Sequence, residues 1–166
     1  MGTFATAVQN RLCDMLAERC VSYKWETERR IAGTPVDIAG RRSAEWVLVE
    51  LEWRRADPAD NTAKLFRHLA EGALDRDNVS DASDTPDADR VAVFQAFTSY
   101  YDLTSGGVSA KRENAEFVGR VASGALDRFT YTPIEFELEP PKRGGERPDD
   151  WRAVADATAR TIASDL

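Results

Sequence analysis

Glu50 and Glu52 close the strongest strand signal of the 166-residue chain, Trp46-Val47-Leu48-Val49-Glu50-Leu51-Glu52. A strand repeats every two residues, so the two carboxylates leave the same face, ~7 Å apart. Trp46 and Leu48 precede them on that face, which therefore runs from dry to charged towards its carboxyl end. Open α/β sheets place ligands at the carboxyl ends of their strands. Two carboxylates emerging there suit a hard divalent cation such as Mg²⁺, which takes oxygen ligands and retains waters. Asp37 falls near the end of the preceding strand. Its convergence with Glu50 and Glu52 would give charge enough for one or two ions. Such ions polarise a phosphodiester and lower the pKa of attacking water.

The elements that must position these acids follow from periodicity. Residues 5–20 carry Ala5, Val8, Leu12, Met15 and Leu16 at helical spacing. Residues 21–31 alternate through Val21, Tyr23, Trp25 and Thr27 and read as a half-buried strand. Ala32-Gly33-Thr34 turns the chain, residues 36–39 form a second strand, and Gly40-Arg41-Arg42-Ser43 turns it again. Residues 45–54 are a strand, apolar on both faces from Trp46 to Val49, as a central strand should be. Asp60 caps a helix over 61–74 with Leu65, Phe66 and Leu69 in its stripe. Residues 77–90 hold five Asp and read as a solvated loop. A buried strand over 91–97, a Gly- and Ser-rich loop at 104–109, a helix over 111–126 and a strand over 128–138 follow. Residues 139–147 are loop, and Asp149-Asp150 caps a final helix over 149–165. The order α-β-β-β-α-β-α-β-α implies one α/β domain over 1–166, a mixed sheet flanked by helices.

Composition sets the limits. Hydrophobic residues are 42% and charged residues 31%, the range of a soluble globular domain. The net charge of -7 opposes indiscriminate affinity for nucleic acid or anionic membrane. No apolar run is long enough for a membrane span, and Met1 to Leu16 lacks the h-region of a secretory signal. Cys13 and Cys20 stand seven residues apart in one helix, ~10 Å along its axis, too far to pair. With His68 they are the only Cys and His in the chain, one short of a structural zinc set. Unpaired thiols suit a reducing cytoplasm. No GxxxxGK[ST], GxGxxG or GxSxG pattern occurs. His68 reads as a surface histidine, and the four Trp read as core or sheet-packing residues.

Asp37 followed by Glu50-Leu51-Glu52 on the third strand resembles the PD-(D/E)xK nucleases, the superfamily that contains most type II restriction endonucleases. The first hairpin, the acidic strand, the next helix and a further strand match that family's αβββαβ core in order, over roughly residues 5–138. The resemblance implies a restriction endonuclease-like fold and Mg²⁺-dependent hydrolysis of DNA, with Mn²⁺ as a substitute ion and RNA as a lesser substrate. It assigns metal binding to Asp37 and Glu50. The residue after x is usually Lys; here it is Glu52, as in some members, where it would be a further ligand or orient the water. Other members move the lysine to the next helix, where Lys64 would stabilise charge on the phosphate. A further Glu upstream often completes the site, and Glu18, Glu26 and Glu28 all qualify. Cleavage of a duplex needs two sites, which a homodimer would supply.

Two other readings stand beside this one. The same fold without the motif lysine could be a catalytically decayed module that binds nucleic acid or protein. The acidic stretch 77–90 could instead be the contact of a generic interaction partner. The basic pairs Arg29-Arg30, Arg41-Arg42, Arg54-Arg55, Lys111-Arg112 and Lys142-Arg143 fall at strand ends or in loops. Gathered on one side they would contact phosphates; scattered, they only solubilise.

Overall fold

A computed structural model describes residues 2–54, 57–74, 90–142 and 145–166. The acidic stretch 77–90, apart from Arg90, lies outside the described residues, as do Arg55 and Arg143. The chain runs α1 (Thr3–Arg19), β1 (Lys24–Ile31), β2 (Thr34–Arg42), β3 (Glu45–Glu52), α2 (Pro58–Ala70), β4 (Arg90–Thr98), α3 (Ala110–Ala125), β5 (Phe129–Phe136) and α4 (Trp151–Ser164). The five strands form one sheet in the order β1-β2-β3-β4-β5. The β1–β2 and β2–β3 pairs are antiparallel, and the β3–β4 and β4–β5 pairs are parallel. The fold is thus an α/β domain with a mixed sheet, as the element order implies.

Alternation along β3 divides the core. Val47, Val49 and Leu51 pack with Val8, Leu12 and Leu16 of α1 and Ile162 of α4. Trp46 and Leu48 pack with Leu65, Phe66 and Leu69 of α2. The central strand is covered on both faces because both of its side-chain rows are apolar up to Val49. α3 approaches β5 at Gly119, where an added Cβ would come within 2.4 Å of the Tyr131 ring.

Several boundaries differ from the expectations. β2 runs through Gly40-Arg41-Arg42 instead of turning there, and the turn falls at Ser43, with φ 47°. Gly40 serves as a strand residue because the Trp25 ring lies against it and leaves no space for a Cβ. β1 begins at Lys24, leaving Val21 exposed outside the sheet. β3 ends at Glu52 rather than at residue 54. Helix α2 starts earlier than expected: Pro58 occupies the first turn and Asp57, not Asp60, caps it by accepting from the Asp60 N–H at 3.1 Å. The cap of α4 is Asp150, without a side-chain cap bond. Pro133 is tolerated inside β5 because β5 is an edge strand.

Candidate active site

Asp37 meets the backbone of Glu50-Leu51-Glu52 where β2 and β3 part. The β2–β3 ladder is paired from Arg42↔Glu45 to Ile38↔Val49. Beyond that pair, one residue on along β2 and two along β3, the Leu51 N–H donates to Asp37 Oδ2 at 2.7 Å instead of to a β2 carbonyl. The Asp37 side chain thus takes the acceptor position that backbone would otherwise fill, which fixes it beside the middle residue of Glu50-Leu51-Glu52. Asp37 is 4% exposed. Its own carbonyl accepts from Gln9 Nε2 at 2.6 Å, and the same amide nitrogen donates to Glu28 Oε1 at 3.0 Å.

Of the three upstream glutamates, the structure brings Glu28 to Asp37. Glu28 has φ 57°, a left-handed conformation that few non-glycine residues adopt. It interrupts the β1–β2 pairing opposite Asp37. Glu28 and Asp37 line a cleft of about 400 Å³ together with Ala5, Leu51, Trp53 and Arg54. Glu18 is exposed on α1, and Glu26 is exposed on β1 in an ion pair with Arg29 at 2.8 Å. Gln9, which binds both Glu28 and Asp37, gave no signal in the sequence beyond a polar position within the α1 stripe.

Glu50 and Glu52 do share a face, and they line a second, smaller cavity with Asn61, Thr62 and Leu65 of α2 and Val93 and Gln95 of β4. Glu50 is partly buried, whereas Glu52 is 1% exposed. Gln95 Nε2 donates to Glu52 Oε1 at 2.8 Å and to Thr62 Oγ1 at 2.9 Å. Thr62 Oγ1 donates in turn to the Pro58 carbonyl at 2.9 Å, and the Tyr131 hydroxyl donates to Gln95 Oε1 at 2.7 Å. Burial pushes the Tyr131 hydroxyl far up, so it stays a donor at any ordinary pH. Glu52 is therefore held within a buried polar network spanning β3, α2, β4 and β5.

Lys64 lies on the exposed side of α2, with Nζ 2.5 Å from Asp60 Oδ2, and does not line the Glu50 and Glu52 cavity. His68 is half-buried, 3.7 Å from Glu71. Cys13 and Cys20 are free thiols, and burial pushes both up, away from reactivity. Trp46 and Trp151 are core residues, with Trp25 and Trp53 packed against the core edge.

Mg²⁺ is the ion that this donor set would have to suit. The ion is commonly held by one or two carboxylates, with waters and substrate phosphate completing six oxygens. Asp37 accepts the N–H of the residue that follows Glu50, but the two carboxylates line different clefts. Glu52 is sealed beneath α2. Among the described residues, no three His, Cys, Asp or Glu side chains group together as a metal site. Also among the described residues, no helix is long and apolar enough to cross a membrane. No family model matches the chain, and comparison with curated proteins finds no match.

Proposed function

We propose that the chain is a Mg²⁺-dependent phosphodiester hydrolase acting on DNA, built on a restriction endonuclease-like core. The Asp37–Leu51 hydrogen bond carries this reading, because it joins the aspartate to the acid-x-acid segment across the parted ends of β2 and β3. The antiparallel meander β1-β2-β3, followed by α2 and a parallel β4, supports the same core. Asp37 and Glu50 would hold Mg²⁺, or Mn²⁺ in its place, which supplies polarisation of the phosphodiester and a more acidic water. Gln9 fixes Asp37 by binding its carbonyl. Glu52, anchored by Gln95, holds the β3 end in place and would help orient the attacking water. Lys64 would exchange Asp60 for a phosphate oxygen and stabilise its charge. A homodimer would cut both strands.

A second reading has its own observation. Glu52 stands where the family usually has lysine, and it is buried on Gln95 rather than open to substrate. That favours a binding module of the same fold without catalysis. Mg²⁺- or Mn²⁺-dependent cleavage of single- and double-stranded DNA separates the two. The hydrolase reading expects cleavage by the wild type and none by Asp37→Asn or Glu50→Gln. Metal binding without cleavage would establish the second reading, and activity retained by both variants would sink the first.

A further inference from the structure

A cationic patch lies on the α2-side face of the β1–β2 hairpin. Arg41 pairs with Trp46 across β2–β3 and with Lys24 across β1–β2, so all three share one face. Arg29 belongs to the same face, because its cross-strand partner Val36 packs in the Trp46 cluster. The Arg41 and Arg29 guanidinium carbons stand 5.1 Å and 5.4 Å from the centroid of the same Trp46 ring. Lys24 is exposed and both arginines are half-buried. Glu26, opposite Ala39, adds one carboxylate to the face, paired with Arg29 at 2.8 Å.

Two features of this arrangement point to an anionic ligand. Like charges directly opposite each other across a ladder destabilise a sheet, and Lys24↔Arg41 is such a pair. Stacking on an aromatic ring holds a guanidinium in one plane at low entropic cost, which prepares it for bidentate contact with phosphate. The chain as a whole carries a net charge of -7, so its other faces repel polyanions and would confine them to this one. Trp46 and Glu50 are four residues apart on β3, ~13 Å at strand rise. That is about four nucleotides at the axial rise of one strand, ~3.4 Å each.

We propose that Lys24, Arg29 and Arg41 form a phosphate-contacting surface that seats the DNA backbone about four nucleotides from the Glu50 end of β3. The nature of the partner rests on the hydrolase reading above; the surface itself rests on the hairpin. Fluorescence anisotropy with labelled single-stranded and duplex DNA, on the full chain in EDTA, tests it without hydrolysis. Arg29→Gln and Arg41→Gln should each weaken binding and reduce the slope of log affinity against log salt by about 0.7–0.9. Glu26→Gln should tighten binding, a gain that misfolding cannot produce, while Arg160→Gln on α4 should change nothing. An unmoved slope in the Arg29→Gln/Arg41→Gln double variant would overturn the proposal, as would a neutral Glu26→Gln. Tighter binding to RNA, to polyglutamate or to anionic vesicles than to DNA would also overturn it. Patch-dependent binding by a chain that never cleaves would remove the hydrolase reading and keep the surface. Cleavage with unmoved slopes would do the reverse.

Discussion

Asp37 has two roles that a pair of substitutions separates. Its carboxylate accepts the Leu51 N–H at 2.7 Å in a site where Asp37 is 4% exposed. Alanine removes the acceptor and leaves a buried amide without one; losing a hydrogen bond to a charged group costs about 1.5–3 kcal/mol. Asparagine retains an oxygen acceptor at the same reach and keeps a neutral bond worth about 0.5–1.5 kcal/mol, so its loss is about half as large. For a chain of this length each kcal/mol moves Tm by roughly 2–4 °C. Asp37→Ala should therefore melt about 3–12 °C below the wild type by differential scanning calorimetry, and Asp37→Asn roughly 2–6 °C below it, about half the drop of the alanine variant. Both should lose metal-dependent cleavage equally, since neither offers a carboxylate. Equal melting of the two variants, or Asp37→Ala melting with the wild type, would refute the claim that this side chain replaces a ladder acceptor.

Gly119→Ala gains helix propensity of about 1 kcal/mol but drives its Cβ to within 2.4 Å of the Tyr131 ring. That ring is pinned by its bond to Gln95, so overpacking of about 1–3 kcal/mol should dominate and lower the urea midpoint; a raised midpoint would contradict the packing account. Glu52→Gln keeps an acceptor for Gln95 and should change stability by under about 1.5 kcal/mol in urea titration, whereas Gln95→Leu, which strips donors from Glu52 and Thr62, should cost about 2–4 kcal/mol. Similar costs for both would show that the network does not hold the β3 end. The hydrogen bonds from Arg11 hold the Asp156 carboxyl below its ordinary value, so the folded form keeps its charge to lower pH than the unfolded chain. That contribution is complete above the unfolded value of about 3.9 and disappears as pH falls through the folded one. Asp156→Asn should thus be less stable than wild type at neutral pH and lose less on acidification below about pH 4; parallel pH profiles would refute the linkage.

Much of this molecule is legible from periodicity, and the misreadings share a cause. Alternation correctly put Glu50 and Glu52 on one face, and helical spacing found the four long helices among the described residues. Gly40-Arg41-Arg42-Ser43 has the composition of a turn, yet β2 continues through it because Trp25, fifteen residues earlier, covers Gly40. The choice of Glu28 over Glu18 and Glu26 depended on a left-handed φ at Glu28 and on Gln9 from another element, neither of which has a local signal. Asp37 was expected to share a site with both glutamates. It binds the amide between them while opening into a different cleft, because the ladder parts after Ile38. The burial of Glu52 is set by Gln95 and Tyr131, on strands that no spacing within β3 could reveal.

Whether Asp37 and Glu50 serve one ion is tested most directly by Mn²⁺ binding, followed by electron paramagnetic resonance in the wild type, Asp37→Asn, Glu50→Gln and the double variant. The hydrolase account predicts a single bound ion in the wild type, weakened by each substitution, with the double variant losing less than the sum of the two. Wild-type chain that binds no Mn²⁺, or single variants that bind it as tightly as the wild type, would contradict the account.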